Sequence, residues 1–274
     1  MPHAHVNGVE LYYETHGDGP PLVLIPGFGT GLWIWFKQVG PFSARCRTVV
    51  FDPRGVARSE QRDEPVTIRL IADDVAALLD ALGIARAHVL GASFGGFVAQ
   101  EFALAYPEKT ESLILCCTSF GGPRHVPPSF ETLQALASTK GLNTEARVRE
   151  NLLVAFSPSF VAAHPDEIEQ VISLRAANFV PEHAYLHQLQ AAMAFDTEAR
   201  VAQTAAPTLV LTGDADTIVP PQNAHNLAAL IPGARLRVLP GGSHTFFIEQ
   251  ADEFNRAVLE FIEEVQGSKF NVQG

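Results

Sequence analysis

The chain has 274 residues, 47% of them hydrophobic, enough to bury a full core, and its formal charge is -11. That acidic balance excludes the lysine- and arginine-rich surface needed to neutralise nucleic-acid phosphates. No stretch approaches the run of about 18 apolar residues that spans a membrane, and the first residues, MPHAHVNGVELYYETHG, lack the basic start and apolar core of an export signal. A cytoplasmic protein with no membrane or nucleic-acid partner is expected.

Residues 9–15 (VELYYET) alternate and are rich in β-formers, HGDGPP reads as a turn, and residues 22–25 form a short apolar run. This predicts a hairpin leading into a buried central strand. Comparable runs recur at 48–51, 88–90, 112–116, 208–211 and 236–239, each bounded by Gly, Pro, Asp or a charge. Between them lie amphipathic segments at 68–82, 97–106, 223–230 and 249–265. Such alternation predicts a mostly parallel sheet, eight-stranded, covered by helices on both faces. From 120 to 203 the rhythm breaks into helical text with scattered Pro, so residues 1–119 and 204–274 are read as one core domain carrying a helical cap insertion over 120–203. The final GSKFNVQG has no periodic pattern and is expected to be a frayed end.

Cys46, Cys116 and Cys117 make an odd count, and the adjacent pair lies in the apolar run LILCC, so all read as small buried hydrophobes. Neither CxxC nor HExxH occurs, and no metal or cofactor is expected.

The segment Gly91-Ala92-Ser93-Phe94-Gly95 follows an apolar strand and opens a helix, the context of a nucleophile elbow. A Ser on so sharp a turn needs residues without bulk two before and two after it, which Gly91 and Gly95 supply. A serine hydroxyl needs a base within hydrogen-bond reach, normally a His oriented by a carboxylate, and in this arrangement the chain order is Ser, acid, His. His244 lies in a Gly-rich loop directly after the last apolar strand, where an open α/β sheet places functional groups. The other histidines have no comparable setting, and His88, at the start of a strand, reads as structural. TLVLTGDADTIVPP offers two acids; Asp216 is preferred at the apex of the loop, with Asp214 as the residue capping the turn. The oxyanion hole is assigned to the backbone N–H groups of Phe94 and Phe28, the latter in Pro26-Gly27-Phe28-Gly29. The Phe28 ring reads equally as a pocket wall, and Trp33, Trp35 and Phe36 as aromatic core or pocket lining. With an imidazole base near its ordinary pKa of about 6.5, activity is expected to rise through that region of pH.

Together these segments resemble the α/β-hydrolase superfamily. Asp52-Pro-Arg-Gly-Val-Ala-Arg-Ser is similar to its D-x-R-G-x-G-x-S segment, with Ala57 in place of the second glycine, and Tyr106-Pro107-Glu108 after the elbow helix is also familiar there. Within the superfamily the chain resembles the 3-oxoadipate enol-lactonase-like hydrolases and small carboxylesterases, which carry a helical cap. Pro26 stands where that family usually has His. Ala92 stands where hydrolases of carbon–carbon bonds usually have Asn, and a Ser nucleophile argues against dehalogenase or epoxide hydrolase chemistry. The resemblance implies a serine hydrolase that cleaves a small-molecule carboxylic ester or lactone through an acyl-enzyme. The alternatives are a C–C bond hydrolase or cofactor-free perhydrolase on the same triad, and a ligand-binding signalling protein with slow residual hydrolysis.

Overall fold

In the computed structural model, which describes residues 2–138, 140–141 and 145–270, the chain opens with a hairpin of β1 (His3–Val6) and β2 (Val9–His16). Its turn is Asn7-Gly8, both at positive φ, the residue pair suited to a two-residue hairpin. This corrects the expected hairpin between 9–15 and 22–25. After the HGDGPP turn β3 (Pro21–Ile25) does not pair with β2 but lies between two later strands. A 3₁₀ turn (Leu32–Trp35) and α1 (Val39–Ser43) lead to β4 (Arg47–Phe51), and α2 (Ile68–Ala81), capped by the Thr67 side chain, leads to β5 (Ala87–Ala92). α3 (Phe94–Ala105) and β6 (Thr110–Cys116) follow.

Then come α4 (Phe130–Ala137), α5 (Glu145–Ala155), α6 (Pro158–Ala163), α7 (Pro165–Ala177) and α8 (Glu182–Met193). This helical segment leaves and rejoins the sheet at one neck, where Gly121 and Asp196 form an isolated antiparallel bridge. β7 (Thr208–Gly213), α9 (Gln222–Leu230), β8 (Arg235–Leu239), α10 (Phe246–Glu249) and α11 (Ala251–Phe270) complete the chain.

The eight strands run in the order β1-β2-β4-β3-β5-β6-β7-β8. β1–β2 and β2–β4 are antiparallel, and all pairs from β4–β3 to β7–β8 are parallel. Because successive side chains point to opposite faces, Val23 and Ile25 belong to one core cluster with α2, α3, α8 and α9, whereas Leu22 and Leu24 belong to another with α1, α5, α6, α7, α10 and α11. Burial on both faces explains why these strands read as unbroken apolar runs. Cys46, Cys116 and Cys117 are each at most 1% exposed and unbridged.

The last helix differs from the sequence reading at both ends. The helix expected over 249–265 starts at Ala251, because Gln250 leaves helical geometry (φ -117°, ψ 43°), and the short α10 before it was not expected. α11 also continues through Gly267–Phe270, so part of the expected frayed end is helical; residues 271–274 lie outside the described residues.

Candidate active site

β5 delivers Ser93 into the turn before α3 with φ 55° and ψ -118°, a left-handed-side conformation that costs a non-glycine residue of order 1–3 kcal/mol. The surroundings hold it there. Ser93 N–H donates to Cys116 O at 2.8 Å, and Thr118 Oγ1 donates to Ser93 O at 2.8 Å. The neighbouring glycines are required by contact as well as by turn geometry: a Cβ on Gly91 would meet Gly95 O at 2.1 Å, and one on Gly95 would meet Ile25 O at 2.2 Å. α3 begins at Phe94 itself, three residues before the amphipathic pattern starts, because Gly95 and Gly96 leave no side chains to signal that first turn.

His244, in the loop between β8 and α10, places Nε2 3.1 Å from Ser93 Oγ and Nδ1 2.8 Å from Asp216 Oδ2. A carboxylate only accepts, so in the neutral imidazole the proton belongs on Nδ1 and Nε2 presents its lone pair to the serine hydroxyl. Asp216 is fully buried and His244 is 12% exposed at the side chain. The other Asp216 oxygen accepts from Ile218 N and Val219 N, both at 2.8 Å, which fixes the carboxylate in the loop after β7. Asp214 turns away: its Oδ1 accepts from Gly241 N at 2.6 Å. It therefore ties the β7 loop to the β8 loop instead of capping its own turn, as the sequence suggested.

Burial works against a charged imidazole at His244, but the through-space pull of the Asp216 carboxylate and the hydrogen bond to it outweigh burial, holding the pKa above the ordinary 6.5. The expectation of an unshifted base is corrected accordingly.

The 27–30 loop lies against the elbow, with the Cβ position of Gly27 3.6 Å from Ser93 Cβ. Among the described residues neither Phe28 N–H nor Phe94 N–H has a hydrogen-bond acceptor. The rest of the loop is held. Gly29 N–H donates to Gln188 Oε1 on α8 at 2.9 Å, and just beyond it Leu32 N–H donates to Asp52 Oδ1 at 2.8 Å. The Phe28 ring packs between Phe94 and Tyr185 of α8, at centroid distances of 6.2 and 4.4 Å. Asp52 also takes Arg58 Nε at 2.9 Å, so the D-x-R-G-like segment braces this loop from below. Ala57, where the motif has glycine, keeps the glycine-like φ of 47°. Trp33 and Trp35 are core residues, 5% and 0% exposed. His88 is buried against Ser112 Oγ at 2.7 Å.

Sequence reasoning missed Gln188, Thr118 and Tyr185, which act through contacts 159, 25 and 157 residues away in the chain and leave no local pattern. No helix among the described residues is long and apolar enough to cross a membrane, and no group of three His, Cys, Asp or Glu side chains among them is placed to hold a metal ion.

Comparison with known proteins agrees with this fold. A family model described as "alpha/beta hydrolase fold" matches residues 20–251. The protein named "Putative carbamate hydrolase RutD" from Azorhizobium caulinodans is 33% identical over 265 residues, covering 97% of this chain and 99% of that one. Among solved structures, the enol-lactonase from Burkholderia xenovorans LB400 is 29% identical with a TM-score of 0.86, covering 96% of this chain and 100% of that chain. A thermophilic esterase from Thermogutta terrifontis is 27% identical with a TM-score of 0.84, covering 97% and 99%. With an eight-stranded, mostly parallel sheet and a family match over most of its length, this chain belongs to the alpha/beta hydrolase fold family.

Proposed function

We propose that the protein is a serine hydrolase acting on a carboxylic ester or lactone, with Ser93 as nucleophile, His244 as base, Asp216 as its orienting acid and the Phe28 and Phe94 amides as oxyanion hole. The observation that carries this reading is the hydrogen-bonded line from Ser93 Oγ through both nitrogens of His244 to Asp216, beside two amides with no other acceptor. Ser93 Oγ attacks the carbonyl carbon while its proton passes to His244 Nε2, and the carbonyl oxygen takes the negative charge against the two N–H groups. The C–O bond then breaks, the leaving oxygen receives the proton from His244, and the acyl group stays on Ser93. Water, activated by the same imidazole, releases the acid.

A carbamate presents the same electrophilic carbonyl, and the RutD relative at 33% identity makes carbamate hydrolysis the second reading. Ser93→Ala should lower kcat by about 10⁶-fold with an unchanged melting temperature, on the scale known for serine hydrolase nucleophiles. A fluorophosphonate should label the wild type once, at Ser93. Full activity in the folded Ala variant would remove the assignment. Rates on matched p-nitrophenyl esters, lactones and carbamates rank the substrate classes, and a carbamate preferred over its ester counterpart would favour the second reading.

A further inference from the structure

The last carbonyl of a helix and the first amides of the next have no partners within their own helices. At the junction of α5 and α6 both find partners in the loop that carries His244 and in α10, which follows it. Ala155 O, the last carbonyl of α5, accepts from Thr245 Oγ1 at 2.8 Å and Thr245 N at 3.2 Å, with Ser243 Oγ also at 2.8 Å. Ser157 N–H, at the start of α6, donates to Glu249 Oε1 at 2.6 Å, and the same oxygen takes Ser243 Oγ at 2.6 Å. Ser243 has one proton to give. Thr245 already serves Ala155 O, and the short contact to a carboxylate is the stronger, so Ser243 donates to Glu249.

Of the residues on either side of His244, Thr245 is thus fastened directly to one turn of the inserted helices, and Ser243 is fastened to it through Glu249, whose carboxylate also takes Ser157 N–H. Ser243 and Thr245 are 4% and 6% exposed, where an unmade hydrogen bond is costly. Glu249 closes the loop from its far end: α10 starts two residues after His244 and ends on Glu249, while Phe246, Phe247 and Ile248 anchor it in the core.

We propose that Glu249 is a positioning residue for His244, and that through its contacts with Ser243 and Ser157 the α5–α6 turn belongs to the mechanical support of the base. The inference rests on the reading of Ser93 and His244 as nucleophile and base. Displacing that turn withdraws the acceptor and donor that hold residues 243–245, and His244 moves with them. The inserted helices therefore cannot swing away from the sheet at this end while the base stays in register with Ser93.

Three variants test this by rates of ester turnover and of fluorophosphonate labelling. Glu249→Ala should reduce kcat and the labelling rate together by about 10- to 100-fold, the scale of an ångström-sized misplacement, with KM changed by less than about threefold. Its kcat/KM profile should shift toward lower pH, because an imidazole less firmly held to Asp216 loses what raises its pKa; Asp216 and the buried Cys117 are the groups acting on it. Glu249→Gln should recover activity to within about threefold, since its amide oxygen can accept from both Ser243 and Ser157. Ser243→Ala, which removes the link from the loop side, should fall between them and covers the case in which Glu249→Ala does not fold. Folded Glu249→Ala or Ser243→Ala protein with wild-type kcat, labelling and pH profile, or a Gln variant as impaired as Ala, would overturn the proposal. Failure of the underlying reading shows separately, as an unlabelled wild type or an active Ser93→Ala.

Discussion

At the scale of single residues the two aspartates of the β7 loop have separate structural tasks, and substitution should divide them. Asp216 supplies the negative charge beside His244 Nδ1, and an amide there can pair with the wrong tautomer, a change worth about 10⁴-fold in kcat in serine proteases. Asp216→Asn should fall by a comparable factor. It should also move the rising limb of kcat/KM to lower pH. On the proposed mechanism activity needs the neutral imidazole; in the wild type the raised pKa keeps His244 protonated to higher pH, so the limb lies above 6.5, and without the carboxylate the through-space pull and hydrogen bond of Asp216 are lost while burial, which lowers the pKa, stays. Asp214→Asn keeps an oxygen for Gly241 N–H and should change kcat by less than about threefold. The reverse pattern in the two variants, measured on one ester with thermal melts alongside, would reassign the acid. Residues placed by a local turn, such as Ser93, Phe94 and Asp216, had their positions legible in the sequence. The pKa of His244 was not, because it is set by burial and by a charge 28 residues away along the chain.

Among elements, the β5–α3 elbow is the most tightly specified. A methyl group on Gly95 would press into the backbone at the end of β3, with Ile25 O at 2.2 Å and Pro26 O at 2.6 Å, and β3 cannot retreat without breaking its pairing with β4 and β5. Gly95→Ala should cost roughly 3 kcal/mol, the upper range for overpacking, read from urea unfolding, and should lower activity in whatever protein remains folded. A loss under about 0.5 kcal/mol would mean that the elbow relaxes freely. The same buried setting made the strands easy to read, since residues covered on both faces give continuous apolar runs. Pairing was harder. β2 and β3 are consecutive in the chain, yet β4 lies between them, and the short β1, with only four residues, was passed over although Asn7-Gly8 is a recognisable turn signal. The break between α10 and α11 left no Gly or Pro to mark it; the Phe-rich start of α10 is set by burial against the 3₁₀ turn and α11.

For the molecule as a whole, the neck at Gly121 and Asp196 brings the two ends of the helical segment together. We read residues 120–203 as a cap that sets substrate preference, and α8 touches the Phe28 loop through Tyr185 and Gln188. Exchanging the segment for that of a relative should alter the ratio of acetate, butyrate and octanoate ester rates more than about tenfold; an unaltered ratio in a folded chimera would show that specificity lies in the core loops. A separate consequence follows from where the sulfur atoms lie. Burial pushes the Cys46 thiol up to about 11 and raises Cys117 well above the ordinary range, so neither offers a thiolate to solvent at neutral pH while the chain is folded. Alkylation by iodoacetamide then keeps time on how often the protein opens. Cys46, beside the short α1, should react through local fraying, whereas Cys116 at the end of a central strand waits for the sheet to part. Mass spectra taken during labelling at pH 8 should show a singly modified species well before the triply modified one. Simultaneous appearance of all three adducts would mean that this edge of the molecule opens only when everything does.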